Sequence, residues 1–476
     1  MKITSEIVLK KLKQVLNHLY NFLIDGAYSL VDLVEKKQGY NAEFGSESDI
    51  GSRLNKGFLY SLNRKLTRRK SFEGLLLCSN TGSGKTVRII TKILFELKNC
   101  SIICNDPSKE LYTITSGYLS QHFTIRILNF SDSSVSCGYN ILSAIKKPND
   151  INKIAHLLVS ASLEKGNADP FWIIQSKSVI SIFIRLVLLQ PEQYRNMANV
   201  LFLLNNFAAR NTDKIDEFIA MSNDPQLILD YKTMIANSEK TLQSIISSSK
   251  ASIQLFEDSQ IAKVTAHSSI QLDDLRKKPT IIFLHNSISD MKYINVLNGI
   301  FFEQLYGHFL QNLPKKDELD CFVILEEASS LHIPILPIAS ANVRKHRVAN
   351  LICIQNPEQL KTFYKEEYKS LVSNCRTHIY LSGLSSLDTM RELEQLSGRT
   401  TYTDDKGVEK TRPLLSIDEI RLLPENRSII ISSNTPIIRG RTSPYFKCRK
   451  YRLYSQIPPI DLKGDIPDDP LTFIPL

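Results

Sequence analysis

Residues 79–86 read SNTGSGKT, and they stand directly after the apolar run GLLLC and directly before VRIITKILFEL, a stretch with helical spacing. A strand that turns through a glycine-rich loop into a helix constrains a chain more than any other feature here. Backbone N–H groups surround a phosphate, the helix N-terminus points at it, and a lysine and a hydroxyl complete the contacts. The loop residues Ser79, Asn80, Thr81, Gly82, Ser83, Gly84, Lys85 and Thr86 are therefore expected to bind the phosphates of ATP. Within them Lys85 is expected to reach the β- and γ-phosphates and Thr86 to bind Mg2+. Ser79 stands where the motif usually has its first glycine.

A phosphate-binding loop does not hydrolyse anything alone. It needs a buried strand of the same sheet that ends in acids, and CFVILEE at 321–327 has that form. Glu326 is expected to hold the metal, and Glu327 to act as general base toward the attacking water. Taken alone, the segment also fits a strand ending in two solvated acids; its position downstream of the loop, in an apolar strand, favours the catalytic reading. Gln355 ends the next apolar run, where a γ-phosphate sensor would sit. Arg344 and Arg347 lie between the acids and that glutamine. Either guanidinium could stabilise the transferring phosphoryl group from a neighbouring subunit, with Arg344 the stronger candidate; a surface ion pair or a DNA-phosphate contact is the plainer role.

The rest of the pattern agrees with an α/β fold. Short apolar runs at 74–78, 101–104, 124–128, 280–284, 321–325, 350–354, 378–381 and 428–431 alternate with helical stretches. Strands of that fully buried kind belong to a mainly parallel sheet covered on both faces. Between 146 and 264 the strand runs vanish and helical periodicity takes over, which predicts an all-α insertion. The expected organisation is an N-terminal helical region and linker (1–70), a nucleotide-binding domain in two parts (71–145 and 265–455) around the insertion (146–264), and a proline-rich extended tail (456–476).

Charge and composition narrow the partners. The chain has 476 residues, 42% of them hydrophobic, and a net charge of +10, which suits nucleic acid, an anionic bilayer or an acidic protein face. The cluster Arg64, Lys65, Arg68, Arg69 and Lys70 is either a solvated face or a contact for such a partner. The eight cysteines are scattered singly, without zinc-ligand spacing, as reduced core thiols would be. The most apolar long stretch, 170–190, carries Lys177 and Arg185, so no transmembrane span is expected. Residues 1–37 read as helix docking on the body or lying on a membrane surface. The expected location is cytoplasmic, peripheral at the inner face of the membrane.

Taken in order, these motifs resemble the type IV coupling proteins of the TraG/TraD family, over roughly residues 40–450. SNTGSGKT is similar to that family's Walker A motif. NDPSKELYTITSGYL, with Asp106, Lys109 and Glu110, is similar to its next strand-and-helix signature, and NIL at 140–142 stands where the family has Asn-Pro-Leu. Asp169, Phe171 and Trp172 match the start of its all-α domain; Glu326, Glu327, Arg344 and Gln355 match its Walker B, arginine and glutamine motifs. SNCRTHIYL at 373–381 and the segment 412–446 match its C-terminal signatures.

The resemblance implies a RecA-like P-loop NTPase domain with an inserted all-α domain, assembling as a homo-hexamer with ATP and Mg2+ at subunit interfaces. It further implies delivery of relaxase-bound single-stranded DNA to the components of a type IV secretion or conjugation channel. The family's N-terminal membrane anchor has no counterpart in this sequence, and a separate membrane-anchor protein is the expected substitute. Two other readings stay open on the residues alone: an ATP-switched module recruiting protein cargo, and an FtsK- or HerA-like DNA translocase.

Overall fold

Seven strands alternate with helices and run parallel in the computed structural model: β1 (Leu75–Cys78), β2 (Cys100–Asn105), β3 (Thr124–Leu128), β4 (Thr280–Leu284), β5 (Asp320–Leu325), β6 (Val348–Ile354) and β7 (Thr377–Leu381). A separate two-stranded ribbon follows, β8 (Arg399–Thr403) with β9 (Glu409–Pro413), and then β10 (Arg427–Ser432) and β11 (Ile438–Arg441). The structure describes residues 41–163, 169–285, 289–467 and 471–476. The helical reading of residues 1–37 lies outside them.

Among the described residues the main sheet has the order β11-β10-β7-β1-β6-β5-β2-β4-β3, in which β10 alone runs against the others, antiparallel to both β7 and β11. Strands β1, β2, β5 and β6 are buried along their whole length. That burial explains their unbroken apolar character, because each face of the sheet carries its own hydrophobic core. The fold is thus the α/β P-loop class, with a mostly parallel sheet. Register lines up the strand ends: Cys78 pairs with Ile354, Ile352 with Leu325, and Leu325 with Asn105. The loops that follow β1, β6, β5 and β2 therefore emerge side by side at one edge, where α/β sheets bind ligands.

Among the described residues from 148 to 264 every regular element is helical. Two of the helices begin with Asp-Pro. Asp169 accepts from the Phe171 N–H at 2.8 Å and Asp224 from the Gln226 and Leu227 N–H groups, with proline in the first turn where no donor is lost. The Pro170–Leu188 helix is long and apolar enough to cross a membrane by length and hydropathy alone. It instead packs among the Pro148–Leu163, Met197–Ala208 and Glu239–Ile253 helices, and Arg185 bridges Asp224 and Asp230 at 2.8 and 2.7 Å. Asn140, in the stretch between β3 and this segment, anchors it: its amide donates to the carbonyls of Arg195, in the segment's middle, and Ala266, just past its end.

The basic cluster before β1 is mostly spent inside the chain. Lys65 meets Glu96 at 2.7 Å, Arg68 meets Asp320 at 2.6 Å, Arg64 meets Glu47 at 3.6 Å, and Lys70 donates to the Ile50 carbonyl. Their acids are distant in sequence, so the run looked free when read linearly. The C-terminal segment lies along the body as an extended strap. Tyr112 donates to the Ile460 carbonyl, Arg126 on the edge strand β3 meets Asp465 at 2.9 Å, and Asn199 receives the Ile474 N–H at 3.0 Å. A Cβ on Gly117 would lie 2.1 Å from the Pro458 oxygen, so this close approach requires glycine.

Candidate nucleotide-binding site

The loop after β1 takes its shape from two glycines. Gly82 and Gly84 have φ of +79° and +87°, conformations that side chains with a Cβ resist. Ser79 is not in that region of backbone space; its N–H continues the sheet by donating to the Ile354 carbonyl, and its hydroxyl lies 2.6 Å from that of Ser83. A glycine is not required there, which accounts for the departure from the motif. Asn80 anchors the loop to the segment after β7, donating to the Gly383 carbonyl at 2.6 Å and accepting from Ser385.

The downstream acids reach this loop. Thr86 donates its hydroxyl proton to Glu326 Oε1 at 2.6 Å, and Lys85 Nζ lies 3.7 Å from Glu327 Oε1 and 2.9 Å from the Ser79 carbonyl oxygen. Glu326 is buried, and desolvation pushes its carboxyl up to about 7, against the opposing pull of the Thr86 hydrogen bond. The charges of Asp106, Glu110 and Glu327 push the same way as burial. Its second oxygen, Oε2, is buried with no partner in the protein. A hydroxyl and a carboxylate, with one carboxylate oxygen waiting for a positive or donating neighbour, fit a hard divalent cation such as Mg2+. Glu327 is about one-third exposed and adopts a left-handed backbone (φ +54°), which swings its side chain off the strand line toward Lys85.

Gln355 follows β6, the strand between β1 and β5, so it stands between the phosphate loop and the acids. Arg344 is elsewhere. It precedes β6, pairs with Glu73 at 2.8 Å and is half-exposed; Glu73 itself precedes β1, so both lie at the edge opposite the loop. Arg347 is fully engaged within the chain, donating to Asp320 and to the carbonyls of Lys315 and Glu318.

Several residues at the site had no role assigned from the sequence. A cleft of 600 Å³ opens beside the loop, between Asn80–Gly84 with Arg88 and a wall of Gly383, Leu422, Leu423, Pro444 and Phe446. That wall comes from the C-terminal part of the chain, whose signatures had no assigned role. Arg88 is held across the cleft by Glu425 at 2.9 Å. Asp106 caps the Glu110–Leu119 helix by accepting from the Leu111 and Tyr112 N–H groups, and its burial raises its carboxyl to about 6.

A family model described as type IV secretory system conjugative DNA transfer matches residues 41–461. The chain is 22% identical over 448 residues to the conjugal transfer protein TraG of Escherichia coli, covering 82% of this chain and 70% of that protein. It is 23% identical over 240 residues to VirD4 of Agrobacterium fabrum, covering 47% of this chain, and the match spans only 36% of that relative's length. Among solved structures, the conjugative coupling protein TrwB in an unbound form superposes with a TM-score of 0.65 at 15% identity, over 84% of this chain and 92% of that one. TrwB in complex with ADP and Mg2+ gives 0.61 at 14% identity, over 85% and 94%. With the family pattern matched across nearly the whole described body and the fold shared with a conjugative coupling protein, the chain belongs to the type IV secretory system conjugative DNA transfer family.

Proposed function

We propose that the protein hydrolyses ATP and uses the cycle to deliver DNA, as a relaxase-bound single strand, to a type IV secretion channel. The observation that carries this reading is the convergence of Lys85, Thr86, Glu326 and Glu327 at one sheet edge, beside a cleft large enough for a nucleoside. The loop 79–86 takes the phosphates, and the wall formed by Leu422, Leu423 and Phe446 takes the base. Lys85 then exchanges Glu327 and the Ser79 carbonyl for the β- and γ-phosphates, which leaves the Glu327 carboxylate free to accept a proton from water. Gln355 orients that water. Thr86 and Glu326 hold Mg2+, which when bound neutralises charge on the β- and γ-phosphate oxygens.

Arg344, remote from its own loop and half-exposed, suits a role at the site of a neighbouring copy, in a ring of the homo-hexameric kind. In this reading residues 71–145 and 265–455 form the motor domain, and the helical segment 146–264 faces channel components or cargo. The basic balance of the chain is consistent with a nucleic-acid partner.

Steady-state ATPase of the purified protein, with and without single- and double-stranded DNA, tests the reading together with Lys85→Ala and Glu327→Gln. Turnover that DNA stimulates and both substitutions abolish is the expected result. Turnover indifferent to DNA would move the proposal to recruitment of protein cargo, and no turnover would sink the hydrolytic reading.

A further inference from the structure

The parallel ladder between β2 and β5 ends at the pair Asn105 and Leu325. The next backbone donor of β2, the Asp106 N–H, turns the other way and bonds to the Leu284 carbonyl at the end of β4. The Glu326 carbonyl is thus the first one past the ladder, and no main-chain donor of β2 reaches it. The Asn105 side chain does: its Nδ2 donates to Glu326 O at 2.6 Å, and Asn105 is wholly buried. Because the acceptor is a carbonyl, the amide nitrogen must face it. That leaves Asn105 Oδ1 buried without a partner, like Glu326 Oε2.

We infer that Asn105 is a positioning residue for the acid pair, acting through the peptide that joins Glu326 to Glu327. That peptide plane fixes where both carboxylates start. On its far side Glu327 is left-handed, a conformation that a residue with a Cβ keeps only when its surroundings over-determine it. Two contacts do so here. Asn105 holds the carbonyl before Glu327, and Ser330 holds the carbonyl after it, through its N–H at 2.9 Å and its hydroxyl at 2.8 Å. A residue at 105 without a donor leaves a buried carbonyl unpaired, and the peptide turns to find another donor. The rotation moves Glu326 away from Thr86 and Glu327 away from Lys85 together. The two unpartnered oxygens are both acceptors, and donors suited to them arrive with a hydrated divalent cation. Asn105 therefore supports the metal ligand Glu326 in the manner of other outer-shell partners.

The inference rests on the nucleotide-site reading above. Its test compares wild type with Asn105→Leu, which keeps the branched outline and removes the amide, in two assays: ATP turnover, and binding of a fluorescent ATP analogue titrated with Mg2+ and in EDTA. The expected result is a kcat about tenfold lower with KM for ATP little changed, and a Mg2+ requirement for tight binding raised by about tenfold, the usual scale for an outer-shell partner. Binding in EDTA stays as in wild type. Turnover and Mg2+ requirement both indistinguishable from wild type would overturn the inference, and so would an equal loss of affinity with and without Mg2+, which marks general collapse of the site. Should the leucine variant fail to fold, Asn105→Ala is judged by the same readouts. A wild type that binds nucleotide without hydrolysing it would remove the motor reading but leave the Mg2+ titration to decide on Asn105.

Discussion

Thr86 and Glu326 stand 240 residues apart in the chain, and the hydroxyl of one donates to the carboxylate of the other at 2.6 Å. The contact closes because a single strand of the described sheet, β6, lies between β1 and β5, so the loop and the acid emerge on either side of one strand. It also keeps a buried carboxyl in place that desolvation works against.

Neutralising that carboxyl separates stability from metal binding. Glu326→Gln removes the burden of burying a charge, and the metal-free protein should gain on the order of 3 kcal/mol at pH 8, from about 1.4 kcal/mol per unit of a carboxyl raised to about 7. Thermal unfolding measures the gain. Mg2+ should no longer tighten nucleotide binding in the variant; a Mg2+ response equal to wild type would remove Glu326 from the metal's ligands.

Glu327 should behave differently, being partly exposed and next to Lys85. Glu327→Gln is expected to bind ATP with wild-type affinity and to lose about 10²–10⁴ in turnover, the scale of a missing general base. Equilibrium binding together with single-turnover hydrolysis distinguishes this from a binding defect.

The raised carboxyls set a pH dependence of definite sign. Glu326 at about 7 and Asp106 at about 6 both hold protons more tightly folded than unfolded. The native state therefore binds more protons at these two sites, and their contribution to stability falls as pH rises from about 4 toward 7, opposed between about 4 and 6.5 by buried His285, whose imidazole is lowered to about 4. Metal binding needs the ionised Glu326, so Mg2+-dependent nucleotide affinity should rise over the upper part of the same window. The difference in stability between wild type and Glu326→Gln, measured by differential scanning calorimetry without metal, and Mg2+ titrations of wild type at several pH values give the two opposite slopes for Glu326.

Arg344 and the phosphate loop of the same chain lie at opposite edges of the sheet, separated by the four residues of β1, about 13 Å at 3.3 Å per residue. Arg344→Ala and Lys85→Ala are each expected to abolish turnover alone, whereas a mixture of the two proteins should recover part of it. Recovery requires that one copy's arginine serve another copy's loop. A mixture as inactive as its components would place Arg344 outside the reaction.

Arg347, three residues on, should give the reverse phenotype. It shares the buried Asp320 with Arg68, both at 2.6 Å, and donates to two carbonyls besides. Arg347→Ala is expected to lower stability by about 3 kcal/mol, the lower end for breaking such a pair, since both arginines keep some exposure. Turnover per folded molecule should be unchanged, as measured by denaturant unfolding beside an ATPase assay.

What was legible in the sequence is what local physics decides. The loop 79–86 needs its glycines, lysine and hydroxyl in a row between a strand and a helix, and buried strands need unbroken apolar runs; both are written in consecutive residues. Elements without such a local signature were missed. The ribbon β8–β9, RTTYT with EKTRP, is exposed along nearly its whole length and shows no apolar period, and β11 is only four residues long at the sheet's antiparallel edge. The basic residues 64–70 read as free because their acidic and carbonyl partners sit elsewhere in the chain.

Tertiary structure decided everything that depends on which strand lies beside which. The order β1-β6-β5-β2 brings Lys85, Gln355, Glu327 and Asn105 to one edge and leaves Arg344 at the other. It lets Leu422, Leu423, Pro444 and Phe446 wall the cleft beside the loop 79–86, and it hands the Glu326 carbonyl to the Asn105 amide. By itself the sequence determined the kind of site, because a phosphate cradle is a property of a short contiguous backbone. Long-range packing determined the working distances within it, because a hydrogen bond between residues 240 apart exists only where the sheet's order and register place them together.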